Sequence, residues 1–225
     1  SVISNNLYVA NDDIGSEDLL YSELPEYCIG FTDQLAYKDK LRLSAAFMSL
    51  FLHNTIDVEC GLVVPTIYPI RKMINSNSFY KRDELLNIHK TLYQTLTDEA
   101  FHAQQSFVYI DSLNKRFGIE YDDTKSVFLQ ELETFIKKHS NPDLATILVA
   151  VVTETRIAKE LGGYAKNKHL YPSVREITKS HTYDEIVHDS LFKNLMKEGY
   201  TNMNVEYTHR PNLVIEGLAV IANSN

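Results

Sequence analysis

The sequence predicts an all-α protein built as a helical bundle with a four-helix core. Three observations carry that expectation. Apolar residues recur at spacings of three, four and seven through most of the chain, the period of a helix with one buried stripe. Gly and Pro number only 8 and 6 and fall mostly between the periodic segments, where a bundle places its turns. Hydrophobic residues make up 44% of 225 positions, enough for a substantial core, so one domain over 1–225 is expected. No internal repeat or low-complexity tract interrupts the pattern.

Residues 1–35 are acidic, carry Gly15, Pro25 and Gly30, and read as an irregular lead-in. The first long helix is expected from Tyr37 to Val64, with a stripe through Ala45, Met48, Leu52, Ile56 and Val63; Pro65 and Pro69 then kink or end it. The second spans Arg82 to Arg116, with Leu85, His89, Leu92, Leu96, Ala103, Phe107, Ile110 and Leu113 on one side and Gly118 as a left-handed stop. A third covers Asp123 to Lys138. Asn141-Pro142-Asp143 starts the fourth, Asn as N-cap and Pro at the first helical position, and Gly162-Gly163 ends it. The fifth runs from Pro172 to about Lys197, closed by Gly199. Residues 200–225, with the apolar run Leu213 to Ala222, read as a C-terminal packing segment.

A net charge of −8 argues against nucleic acid as a partner, since phosphate binding needs concentrated Lys and Arg. Cys28 and Cys60 are too far apart for a CxxC motif, and neither a disulfide framework nor a cysteine zinc site is expected. No run of eighteen uninterrupted apolar residues and no basic-then-apolar leader occurs, so a membrane span is not expected and a reduced cytoplasmic setting is.

Ionisable side chains on the apolar stripes are the residues that need explaining, because an unpaired buried charge is costly. Glu59 sits between Ile56 and Val63; Glu99 and His102 interrupt the second stripe; Glu154 lies between Val151 and Ala158; His181, Glu185 and His188 follow Ile177 in one line. At about 100° per residue, His181, Glu185 and His188 fall within roughly 60° of one another, and Glu99 and His102 share a face. Four long helices each point an acid inward.

A single E-x-x-H match has little weight, since about 0.6 are expected by chance in such a composition. One such match, Glu206 with His209, is read as accidental. Requiring a preceding Asp lowers the expectation to roughly 0.04, yet both D-E-A-F-H (98–102) and D-E-I-V-H (184–188) qualify. Taken singly, Glu59, Glu154 and His181 are each more simply structural; as a set of seven they describe a dinuclear site. Two iron ions need carboxylate oxygens that bridge and imidazoles that complete coordination. Di-iron carboxylate bundles supply a Glu from each of two helices and Glu-x-x-His from each of two others. Four carboxylates, about −4, offset most of the charge of two such ions. Manganese or zinc can occupy the same donors. His53, His89, His139 and His169 receive no role; Tyr109 and Tyr183 stand near the ligand faces as pocket candidates.

At these residues the chain resembles the p-aminobenzoate N-oxygenase family of ferritin-like di-iron proteins. The resemblance covers roughly 35–200 and rests on Glu59, T-D-E-A-F-H-A (97–103), T-E-T (153–155) and H-T-Y-D-E-I-V-H (181–188). Most of the wider superfamily uses two ligand histidines; this family adds a third, four residues before the last Glu, where His181 stands. The resemblance implies oxidation of an amine by O2 through a peroxo-diferric intermediate, toward hydroxylamine, nitroso and nitro products. It places Glu59, Glu99 and His102 on one side of the centre, and Glu154, Glu185, His188 and His181 on the other. Asp98 and Asp184 are expected to accept the outward N–H groups of ligand histidines. The expected partners are an amine, free or carrier-bound, an electron donor such as a ferredoxin, and a second copy in a homodimer. The competing readings are a ferritin-like iron store and a di-iron carbon hydroxylase or desaturase.

Overall fold

The computed structural model describes residues 30, 32–75, 81–120 and 126–202, with side chains as far as 195. Among them every regular element is helical. Helix α1 (Tyr37–Val58) passes through a π-helical turn (Glu59–Val63) into α2 (Val64–Asn75). Then come α3 (Arg82–Phe117), α4 (Val127–Lys138), α5 (Pro142–Lys166) and α6 (Pro172–Asn202). Residues 1–193 group as one compact unit and 194–225 as a second. The expected lead-in and C-terminal segment fall almost wholly outside the described residues.

Side-chain pairings fix the helix directions. Arg42 donates to the Gly118 carbonyl and Ser49 to Asn114, so α1 and α3 run antiparallel. Tyr109 bonds Ser173 while His102 bonds Asp184, which makes α3 antiparallel to α6. Lys72 meets Asp143 at the start of α5, and Thr155 donates to Asp189 while Gly162 lies against Thr182, so α5 is antiparallel to α6. Since α3 and α5 point the same way, the segment containing α4 is a crossover, the arrangement of ferritin-like bundles with one long connection.

Several boundaries differ from expectation. Pro65 and Pro69 do not end the first helix, which continues to Asn75. A π turn lies directly before Pro65, and its wider spacing relieves the contact a proline ring makes with the carbonyl four residues back. Gly162 and Gly163 lie inside α5, not beyond it. Neither adopts a positive φ, and an added Cβ at Gly162 would only touch Thr182; Tyr164, packed edge-on to Phe51, carries the helix on. Gly199 likewise lies within α6. The α4 start expected at Asp123 falls outside the described residues; the helix begins after Ser126, whose hydroxyl accepts from Leu129 N–H. Asp57 accepts the Ser126 N–H at 2.7 Å and ties this N-terminus to α1. One stop and one start follow the sequence closely. Gly118 is left-handed with φ 59°, Asn141 caps α5, and Pro142 opens it.

One apolar layer comprises Ala45, Met48 and Leu52 of α1, Tyr109, Ile110 and Leu113 of α3, and Leu170, Tyr171, Val174 and Ile177. Each fully buried large side chain there contributes about 1.5–3 kcal/mol. On α2, α3, α5 and α6 the buried residues Ile70, Ile74, Leu92, Ile147 and Phe192 lie beyond the ionisable residues in the opposite direction along the helices. The ionisable set therefore sits between two apolar regions. The stretch Tyr37–Asn75 is long and apolar enough to cross a membrane by length and composition. It carries buried Glu59 in its middle and turns its apolar stripe to the bundle core.

Candidate metal centre

Seven side chains converge between the helices. Glu59, Glu99, Glu154 and Glu185 are fully shielded from solvent, and His102, His181 and His188 nearly so. They form two quartets in which one donor atom from each residue lies within 4.8 Å of the others: Glu59, His102, His181 and Glu185; and Glu99, Glu154, His188 and Glu185. Glu185 belongs to both. His181 Nε2 lies 2.7 Å from Glu59 Oε1 and 2.8 Å from Glu185 Oε1; His188 Nδ1 lies 2.8 Å from Glu99 Oε1 and 3.6 Å from Glu185 Oε2. The structure thus brings together every ligand candidate of the sequence.

The expected division into sides does not hold: Glu99 and His181 change places. Helix rise explains it. Glu99 precedes His102 by three residues, about 4.5 Å along α3. Because α6 runs the other way, the level of His102 faces His181 and Glu185, and the level of Glu99 faces Glu185 and His188.

The two aspartates serve across the helices. His102 Nε2–H donates to Asp184 at 3.1 Å, and His188 Nε2–H donates to Asp98 at 3.4 Å. The Asp of each D-E-x-x-H motif holds the His of the other, so the Nδ1 of both rings faces the quartets. Gln94 donates to the second oxygen of Asp98 at 2.7 Å and fixes that carboxylate from one turn away. Sequence reasoning missed Gln94, which is one of many exposed polar residues until Asp98 has a task. It also placed Tyr109 and Tyr183 near the ligand faces. Tyr109 instead lies in the apolar layer with its hydroxyl against Ser173, and Tyr183 is 63% exposed. Glu206 and His209 lie outside the described residues.

The donor set fits cations. Among the described residues, all eight oxygens of the four glutamates and three histidine nitrogens are buried without an aligned hydrogen-bond partner, although imidazole and carboxylate stand as close as 2.7 Å. Such orphans are costly unless a metal completes them. The protonation tendencies agree. Burial, then the nearby Glu59 and Glu185 charges, raises Glu99 to about 7 despite its contact with His188. Burial, with Glu185 beside it, holds Glu154 well above the carboxylate range. Burial works against a charged His181, but Glu59 and Glu185 outweigh it and raise the ring to about 10; His188 reaches about 10 against the same burial through Glu185 and Glu99. Burial would raise Glu185 too, yet proximity to Glu154 and the three imidazoles holds it well below its ordinary value. The cluster gathers protons where ions would sit. The His102 and His181 rings lie side by side, tilted by 33° with centroids 3.7 Å apart.

Fold and site together define a helical bundle whose interior gathers carboxylate and imidazole groups that could hold metal ions. The family model of the p-aminobenzoate N-oxygenase AurF matches residues 33–222, and the chain belongs to that family. It is an oxygenase family that uses a di-iron centre. No match is found among curated proteins.

Proposed function

We propose that this protein is a di-iron N-oxygenase, with Glu59, Glu99, His102, Glu154, His181, Glu185 and His188 as the ligands of two iron ions. The observation that carries the reading is the pair of buried quartets, whose donor atoms have no aligned hydrogen-bond partner among the described residues and which are joined through Glu185. A bound iron pair supplies reduction of O2 and transfer of one oxygen atom to an amine nitrogen. The first step balances as amine, O2, two electrons and two protons giving hydroxylamine and water; repetition leads to nitroso and nitro products. Electrons come from a donor protein such as a ferredoxin. The chain's own part is positional. Asp184 and Asp98 hold His102 and His188 with Nδ1 inward, Glu185 spans both positions, and the apolar regions on either side exclude water from the donors.

The test is a single turnover of the anaerobically reduced, iron-loaded chain with O2 and a panel of arylamines, products read by mass. Hydroxylamine or nitro products are expected. Full iron loading with rapid O2 consumption and no oxidised amine would sink the reading in favour of a carbon oxidase. Elemental analysis gives two ions per chain and identifies iron, manganese or zinc. A homodimer is expected by size exclusion, and a cage of many copies would instead favour iron storage.

A further inference from the structure

A groove of about 270 Å³ lies between α1, α4 and α5. Phe47 and Phe51 from α1 and Phe128 from α4 line it, together with Ile157 of α5. Its most buried residues stand close in sequence to residues of the metal centre. Thr55 stands one turn before Glu59 and is buried, Val58 directly precedes Glu59, and Thr153 directly precedes Glu154. The volume is slightly below the usual lower end for ligand pockets, about 300 Å³, which suits a molecule of one or two rings.

The polar groups are few and mostly committed. Thr55 donates to the Phe51 carbonyl, and Thr153 to those of Val149 and Ala150. The groove's charges are Arg156 and Glu160, one turn apart at its exposed side and joined at 2.8 Å. Asn54 makes no side-chain hydrogen bond among the described residues, which leaves its amide for an occupant. Aromatic walls with a self-cancelling charge pair favour a flat, uncharged ligand. Arg156 and Glu160 are 70% and 40% exposed, so an incoming carboxylate would shed its own water for a solvated guanidinium already paired with Glu160, a contact worth at most about 1 kcal/mol, and the exchange returns little.

We propose that this groove binds the substrate amine and that the Arg156–Glu160 pair makes it select a neutral aromatic amine over an anionic one. The proposal rests on the N-oxygenase reading for the amine, and on the groove alone for the charge preference. The probes are p-aminobenzoate and its methyl ester, which share ring and amine and differ in charge. Calorimetry on the iron-loaded full chain should show the ester binding at least tenfold tighter than the acid. Glu160→Gln releases Arg156 and should tighten acid binding at least threefold with the ester unchanged. Ile157→Trp, and separately Leu50→Trp at the groove's exposed edge, should weaken the ester at least tenfold. Metal content and helicity confirm that each variant is folded, and Leu50, already 55% exposed, tolerates the larger ring without disturbing the core. Equal affinity for acid and ester, no response of the acid to Glu160→Gln, or unaltered ester binding in both filled variants overturns the proposal. Single turnover separates the two readings. An ester that binds but returns unoxidised removes the N-oxygenase reading and leaves the groove; an amine oxidised equally well by filled variants removes the groove and leaves the N-oxygenase.

Discussion

Glu185 is shared by both quartets, so its loss should differ in kind from loss of any other ligand. Four carboxylates balance two divalent ions. Glu185→Gln leaves about −3 against +4 in a solvent-free interior, and each quartet falls from four strong donors to three. An uncompensated buried charge costs several kcal/mol after relaxation, and about 4 kcal/mol already weakens binding roughly a thousandfold. Occupancy should therefore drop from two ions to fewer than one. Glu59→Gln removes a donor from the His102–His181 quartet only, and the quartet of Glu99, Glu154, Glu185 and His188 stays complete. That variant should keep one ion. Native mass spectrometry after anaerobic loading with ferrous iron, backed by elemental analysis, reads both outcomes. Two ions of undiminished affinity in Glu185→Gln would refute the shared-ligand geometry, and two lost ions in Glu59→Gln would refute the division into quartets.

Loading the metal-free chain should release protons, because His181 and His188 near 10 are charged at neutral pH and must bind as free bases. Glu99, near 7, is protonated at pH 6 and ionised at pH 8, so release per chain should rise by about 0.8 between pH 8 and pH 6, and affinity should fall in the same direction; a pH-indicator titration in weak buffer measures this, and a constant release contradicts the raised Glu99. Asp98→Ala frees the His188 ring and should weaken iron binding about 10–100-fold, with Gln94→Leu giving a smaller loss in the same direction; competition with a chelator checks both, and unaltered occupancy in Asp98→Ala counts against the crossed arrangement. Gly118→Ala places a Cβ in the left-handed region at φ 59° and should destabilise the fold by about 1–2 kcal/mol without altering iron content, measured by urea unfolding.

The bundle and its seven inward residues were legible because burial of charge conflicts with periodicity at few positions, and those positions repeat a motif. What the sequence hid has physical causes. The α3 stripe was expected through Leu96, Ala103 and Phe107, but the buried line runs through Thr95, Glu99, His102 and Ser106, and Phe107 is 53% exposed. Hydrophobicity marks the core except beside a polar centre, where small hydroxyl residues make room and apolar neighbours mislead. Prolines and glycines misled in the same way on α2 and α5. They weaken a helix in isolation, but packing against neighbouring helices outweighs a local penalty of about 1 kcal/mol at Gly162 or Gly163. The π turn at Glu59 and the groove depend on distances between helices, which no single stretch of sequence encodes.

The two D-E-x-x-H motifs alone would build a nearly symmetric centre. On antiparallel helices, each Asp reaches the opposite His and each Glu the opposite level, as Asp98–His188 and Asp184–His102 show. His181 breaks that symmetry. It enters one quartet only, facing Glu59, so that quartet has two imidazoles and one carboxylate of its own, whereas the other has one imidazole and two carboxylates. With Glu185 common to both, the surroundings of the two positions differ by about one unit of charge. An ion held by His102 and His181 would thus be less neutralised than one held by Glu99 and Glu154, and would hold anions more strongly. The charge difference would come from Glu99 and Glu154 standing together in one quartet; His181, neutral as a ligand, would complete the other to four donors without altering its charge.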